Sequence, residues 1–359
     1  MISYLIQKLI YAGLTLFGVV TVIFFLFAVL PGDPARMLLD QREDSEQLLM
    51  IKKKYGFDKS LPEQYINYLN DLSPISIHSN SKSSYSYLDA EKYNYLLSVS
   101  FGSFSLAVKT PYLRTSFQQG GRKVSDIIGS TLSNTAVLAV SAISIALLLG
   151  VFLGIISALF KDTWLDRTIG LLSTVGMSVP SFFSAIIFAW VFGYILKSFT
   201  GLNMSGNLYE IDDFGEGYHL VLKNLLLPAV VLGIRPLAVI VQLMRNSLLE
   251  VLSQDYIRTA RSKGLSKSKI VLRHGIKNSL NPVITAVSGW FASMLAGAVF
   301  VEYIFNWNGL GKEIVQALNT LDLPVIMGSV LVISCIFIVI NILVDLLYGL
   351  LDPRVRMGN

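Results

Sequence analysis

Six long apolar windows run along this chain, at Leu9–Leu30, Leu132–Phe160, Thr168–Leu196, Leu225–Leu248, Val283–Val301 and Ile326–Leu350, with polar stretches between them. Each approaches or exceeds the roughly 20 residues a helix needs to cross a bilayer. The pattern therefore predicts an all-α polytopic membrane protein with six transmembrane helices. The first window is longer than the about 7–15 apolar residues of a signal peptide, and Leu30-Pro31-Gly32-Asp33-Pro34 does not look like a small-residue cleavage site, so it reads as a retained helix.

A large insertion separates the first two windows. Residues 35–72 are polar and helix-forming, whereas 73–92 are rich in Ser, Asn and Tyr and read as a loop. From Tyr93 the side chains alternate through Tyr95, Leu97, Val99 and Phe101, and after Gly102-Ser103 through Phe104, Leu106 and Val108, which predicts a small β-hairpin. The domain plan is a first helix over 1–34, an extracytoplasmic cap over 35–130, and a five-helix core over 131–359 that carries a cytoplasmic loop at 250–282.

Composition narrows the class. With 53% hydrophobic residues, 15% charged residues and a mean hydropathy of +0.59, the chain is not an ordinary soluble domain. The net charge of +5 would suit a nucleic-acid partner, but in a membrane protein the placement of Lys and Arg matters more than their total. Lys8, Lys161, Arg167, the block from Arg245 to Lys277, Arg354 and Arg356 all fall on one side of a six-span scheme. Short loops on the other side carry only Lys197, Lys223 and Lys312. The bias places both termini in the cytoplasm. The single Cys335 has no intrachain partner, so neither a disulfide nor a cysteine metal site is expected.

Pro180 lies in the third window, and Pro228 and Pro236 lie in the fourth beside Arg235. Proline frees backbone groups inside a membrane helix, which neighbouring helices or a water-lined cavity must satisfy. Prolines can also simply shape packing. An ionisable side chain in a span is a functional-site hypothesis by default. Pro180, Arg235 and Pro282 are accordingly the candidates for lining a path. Arg235 could instead belong to a shorter span or pair with Asp345 or Glu302.

The most polar stretch of the second half, "DYIRTARSKGLSKSKIVLRHGIKNSLNPV", reads as two short helices around a turn. Gly264 sits where a helix would need a left-handed residue, and Ser266 can cap the next helix. Leu265, Leu272, Ile276 and Leu280 form one apolar stripe on that helix, with Lys267, Lys269, Arg273 and Lys277 on other faces. Three readings compete for this elbow: a basic loop on anionic lipid, a DNA-binding helix pair hemmed in by membrane spans, or a docking element that transmits movement to a partner. Ala260 and Gly264, four residues apart, favour the third because small residues allow close approach.

This stretch resembles the cytoplasmic loop of permease subunits in bacterial ATP-binding-cassette importers, and within them the dipeptide/oligopeptide/nickel permease family. "LPGDPA", "YGFDKSLPEQYINYLNDL", "LSNTAVLA", "VEYIFNWNGLGKEIVQALNTLDLPVIMG" and "DLLYGLLDPRVR" resemble family landmarks in family order. Asn308 stands where the family usually has Pro, and 73–111 looks like an insertion that would enlarge the docking surface for a solute receptor. The resemblance implies a multi-pass protein of the bacterial inner membrane that forms half of a translocation path for di- or oligopeptides or a related small solute. Its implied partners are a homologous second permease, two cytoplasmic ATPases, an extracytoplasmic solute-binding protein and membrane lipid, with no nucleic acid. ATP and Mg would be bound on the ATPases, with no cofactor on this chain. Carried over by position, the coupling loop comprises Asp255, Arg258, Thr259, Ala260, Arg261, Lys263, Gly264 and Leu265.

The chain contains no G-x-x-x-x-G-K-[ST] phosphate loop; "GLGKE" at 309–313 lacks the first Gly and the hydroxyl. Catalysis is not expected either, since His78, His219 and His274 stand apart without a metal-binding spacing. An autonomous channel or secondary carrier with a basic lipid-facing loop is the alternative.

Overall fold

A computed structural model describes residues 2–28, 45–82, 84–212, 215 and 217–351. In chain order its elements begin with α1 (Ile2–Ala28), α2 (Ser45–Tyr55), α3 (Leu61–Leu72), β1 (Ile75–Ser79), β2 (Tyr95–Phe101), β3 (Phe104–Lys109) and α4 (Val124–Leu159). There follow α5 (Trp164–Ser178), α6 (Ser181–Trp190), a π-helical turn at Val191–Ile195, α7 (Lys197–Thr200), β4 (Tyr209–Ile211), β5 (Tyr218–Leu220) and α8 (Lys223–Leu252). The rest comprises α9 (Asp255–Ser262), α10 (Lys267–Ile270), a π-helical turn at Val271–Gly275, α11 (Ile276–Gly297), α12 (Val299–Ile304), α13 (Leu310–Thr320) and α14 (Leu323–Leu351).

The chain is an all-α polytopic membrane protein with four to five apolar spans and a strand-containing segment after the first. Parts of α1, α4, α8 and α14 are long and apolar enough to cross a membrane, and α5 with α6 makes a fifth apolar stretch. Over the third window, where one transmembrane helix was expected, α5 and α6 meet at a bend of 110°. Pro180 causes the break. It has no N–H to continue the ladder and it drives Val179 to an extended conformation, ψ 130°. The Arg354 and Arg356 charges and the "LPGDPA" landmark lie outside the described residues.

Two compact units are present, one of residues 2–130 and 314–335, the other of 131–313 and 336–359. In the first, α3 begins with a capping box, the Ser60 amide donating to Glu63, and packs against α1. The Tyr65 and Thr21 hydroxyls hydrogen bond at 2.7 Å, and Phe24 stacks on Tyr68 at 5.6 Å. The loop expected over 73–92 is corrected by β1, which makes a three-stranded antiparallel sheet of order β1-β3-β2. β2 and β3 pair around Gly102-Ser103 in the register Phe101↔Phe104 and Val99↔Leu106.

Asp71, 1% exposed, is the hub under this sheet. It accepts hydrogen bonds from the Tyr93 hydroxyl at 2.8 Å and the Tyr85 hydroxyl at 2.9 Å, and it pairs with Arg114 Nε at 3.2 Å. Lys109 Nζ donates to the Asp71 carbonyl, and Lys92 Nζ lies 3.7 Å from the Tyr85 ring centroid. Burial holds the Lys92 and Lys109 ammoniums down at about 8 and pushes the Tyr68 and Tyr112 phenols up to about 12.

The lysines set a pH dependence. From about pH 8 to the ordinary lysine value of 10.5, the unfolded chain keeps protons that the folded chain has released, so stability rises with pH. A Lys92→Met, Lys109→Met double variant lacks this dependence. The parent's melting temperature should therefore gain on the variant's between pH 8 and 10, and a constant difference across that range would contradict the assignment.

In the second unit α8 is the central helix, packed against α4, α5, α6 and α11. Gly150 and Gly154 let α4 approach it closely: a Cβ at Gly150 would lie 2.7 Å from Ile240 Cγ2, and one at Gly154 would lie 2.8 Å from the Val241 carbonyl. Small residues four apart make one smooth strip on α4. Pro228 and Pro236 are buried inside α8, which continues through both.

Candidate functional site

The elbow between α8 and α11 starts when α8 ends at Leu252 and α9 takes over at Asp255. Ile257 and Ala260 point inward and form a small buried cluster with Ile270, against which Leu252 and Leu265 pack. This moves Ala260 from its expected place at a partner surface to the inside of the elbow, where a larger side chain would push α9 off α10. Asp255, Arg258, Thr259, Arg261, Lys263 and Gly264 all remain exposed, and Leu265 is half-buried.

Gly264 closes α9. Its φ of +77° is left-handed, and the Gly264 and Leu265 amides donate to the Arg261 and Ala260 carbonyls at 2.9 and 3.3 Å. A Cβ at Gly264 would meet nothing within 4 Å. The glycine is thus required by backbone conformation and leaves the apex of the elbow bare. Arg258 and Asp255 pair at 3.3 Å in solvent, which contributes little to stability.

Ser266 occupies the N-cap position of α10 without a side-chain hydrogen bond. Of the expected apolar stripe, Leu265, Ile276 and Leu280 pack against buried clusters and Leu272 alone does not. Leu272 is 69% exposed while Val271 is 5% exposed, because the π-helical turn at Val271–Gly275 carries more residues per turn than the α-helical spacing assumes. Gly275 faces α8, where a Cβ would come 3.0 Å from Leu248 Cδ1. Asn278 Nδ2 of α11 donates to the Tyr256 hydroxyl of α9 at 3.1 Å. The elbow is thereby pinned to both long helices.

One contact at this end of α8 was not visible in the sequence. Arg245 binds Asp166 through two parallel bonds, Nε–Oδ1 and Nη2–Oδ2, both 2.7 Å. Asp166 also accepts from Ser157 and from the Asp162 amide. This two-pronged pair ties the α4–α5 turn to α8 ten residues before the elbow begins. The two residues lie 79 positions apart, so no local spacing in the sequence signals the pair.

The path candidates do not converge. Pro180 sits at the α5–α6 break, Pro282 lies inside the unbroken α11, and both are exposed. Arg235 is exposed on α8 beside Pro236 and makes no ion pair among the described residues. Glu302 is not its partner; it is fully buried and caps α13 by accepting the Gly311 and Lys312 amides at 2.7 and 3.2 Å. The side chain of Asp345 lies outside the described set. Asn308 replaces the expected proline without loss of the turn: Asn134 Nδ2 donates to its carbonyl, and Asn306 takes a φ of 55°.

Against known proteins, the model of the family described as "Binding-protein-dependent transport system inner membrane component" matches residues 150–357, and its N-terminal companion matches residues 1–84. A Brucella suis biovar 1 protein, whose own name as a peptide permease is provisional, is 32% identical over 99% of this chain and 100% of its own length. The dipeptide transport system permease protein DppB of Haemophilus influenzae is 42% identical over 62% of this chain and 70% of its own. The glutathione transport system permease protein GsiC of Escherichia coli K12 is 30% identical over 99% of both chains.

Proposed function

Since the chain belongs to the family of binding-protein-dependent transport system inner membrane components, we propose that it forms one half of a path for short peptides, moved by separate ATPases that grip the elbow. It is a multi-pass permease component of an ABC-type importer in the bacterial inner membrane, and it contains no ATPase motif. Peptide is the substrate class because the relatives matched over most of their length are named for a peptide, a dipeptide and the tripeptide glutathione.

The observation that carries the reading is the construction of the elbow. Ile257, Ala260 and Ile270 turn inward, and Gly275 and the Asn278–Tyr256 bond hold it to α8 and α11, while Asp255, Arg258, Thr259, Arg261, Lys263 and Gly264 are left outside on a short knob. A knob of this kind transmits a push from a partner groove into the long helices, which is what switching between two packed arrangements requires. Lipid contact alone would need no rigidity. In this scheme α11 supplies a sixth crossing, both termini are cytoplasmic, a homologous permease completes the path, and a binding protein delivers solute from outside.

The direct test is uptake of labelled di- and tripeptides into proteoliposomes that contain the whole complex with its binding protein and internal ATP. ATP-dependent accumulation supports the assignment; equal leakage with and without ATP contradicts it. Arg235 carries a narrower expectation. As a cation exposed on the central helix, it contributes to passage of the peptide's carboxylate, so Arg235→Gln should lower uptake several-fold with assembly unchanged. Uptake equal to the parent would remove Arg235 from the path.

A further inference from the structure

The sheet formed by β1, β2 and β3 is built inside out. Ser76, His78, Ser105 and Lys109, each no more than 3% exposed, face inward with Ala107, whereas the apolar side chains face solvent. Two complete cross-strand rows, Ile75–Val108–Leu97 and Ile77–Leu106–Val99, lie beside the stacked Phe101–Phe104 pair at the turn. These eight side chains are 38 to 63% exposed. No charged residue interrupts them. Together they offer on the order of 800 Å², the per-partner share of a standard protein interface, and far more than scattered surface leucines would.

The two edges of the sheet differ. At β1 the Asn70 side chain bonds the Ile77 amide and carbonyl at 2.9 and 2.8 Å and so blocks strand addition. β2 is the outer strand on the other side, and all seven of its residues are exposed. An open strand edge argues against immersion in lipid, where backbone groups must be paired, and it is the usual template for a partner strand. A face with no charge also argues against a partner that comes and goes, because transient interfaces are about as polar as ordinary surface while permanent ones are more apolar.

We propose that this face and the β2 edge form a permanent contact with the second permease subunit, which supplies an apolar extended segment on the extracytoplasmic side. The inference rests on the reading of the chain as one half of a permease pair. It gives the strand-containing segment a structural role in holding the pair together, distinct from receiving solute.

The experiment places the photoreactive residue p-benzoyl-phenylalanine at Val99 in the full chain and irradiates intact membranes, with the adduct identified by mass spectrometry. An adduct to the second permease that disappears in a Leu106→Asp background is the expected result. An adduct to the binding protein or to lipid, or none at all, overturns it. A companion with the same photoreactive residue at Met50, exposed on α2, checks that labelling reports the face and not mere exposure: equal labelling of the second permease from both positions also counts against it. Co-purification of ATPases with the unsubstituted chain is scored separately. If they are recovered while the Val99 adduct is wrong, only this inference fails; if neither ATPases nor a second permease is recovered, the importer reading beneath it fails as well.

Discussion

Gly264→Val is expected to leave the chain in the membrane and assembled, yet to separate ATP hydrolysis from peptide uptake. The φ of +77° at Gly264 is strained by roughly 1–2 kcal/mol for a residue with a Cβ, and more for a β-branched one. That strain falls on the turn that sets the angle between α9 and α10. A Cβ there finds open space, so the substitution does not disturb the core of the elbow; it tilts the knob and adds bulk at its apex. The measurement is a paired assay of ATPase rate and uptake in the same proteoliposomes. Hydrolysis persists while uptake falls by tenfold or more. Gly264→Asn should lie between, because Asn tolerates the left-handed region better than Val. Full uptake with Gly264→Val would show that the elbow apex is not the coupling contact.

Asp166→Ala should be the most destabilising single change near the site. The Asp166 side chain is 7% exposed and that of Arg245 27%, so solvent screens the pair only in part. Removing the carboxylate leaves a guanidinium with two unmet bonds and also strips acceptors from Ser157 and the Asp162 amide. Breaking one side of a fully buried pair costs about 3–5 kcal/mol, and the cost here is smaller because the 27%-exposed guanidinium keeps some water. The check is the melting temperature of the purified protein in detergent. A drop of several degrees is expected for Asp166→Ala, with partial recovery in the Asp166→Ala, Arg245→Ala double variant, since the stranded charge is gone. Parent-like melting by the single variant would mean that the clamp contributes nothing.

The long helices were legible in the sequence because their length and apolarity follow from the thickness of a bilayer. What went unseen depends on geometry that composition does not encode. Pro180 was visible, but a proline in a membrane helix can be absorbed, and only the turn away at Val179 makes it a 110° break. β1 was read as loop because "ISIHS" is short and flanked by serines, and its alternation points the wrong way: Ser76 and His78 are inside. His78 is held there by Ser76 Oγ at 2.8 Å and by the Tyr93 ring at 4.7 Å, partners that lie on no common period.

The elbow shows the same division. Gly264 was identifiable from the helix-ending rule, and its left-handed turn is where that rule puts it. Leu272 was misplaced because it lies inside a π-helical turn, whose spacing differs from the α-helical one, and nothing in "VLRHG" signals it. Ala260 was read as small for a partner's sake; in the chain by itself it is buried in a cluster with Ile257 and Ile270. Asp166 and Arg245 belong to different helices, and their contact becomes evident only once α5 and α8 are side by side.

The most direct test of elbow-driven transport is a cross-link from the knob itself. A single thiol at Arg261→Cys, in a chain whose native Cys335 is replaced by Ser, is treated with a short bifunctional reagent in membranes that contain the whole complex, with and without ATP. An adduct to an ATPase subunit, with a yield that changes when ATP is added, is the expected result. Adducts to lipid alone, or an ATPase adduct indifferent to ATP, would contradict the claim that this elbow carries the ATPases' movement into the membrane.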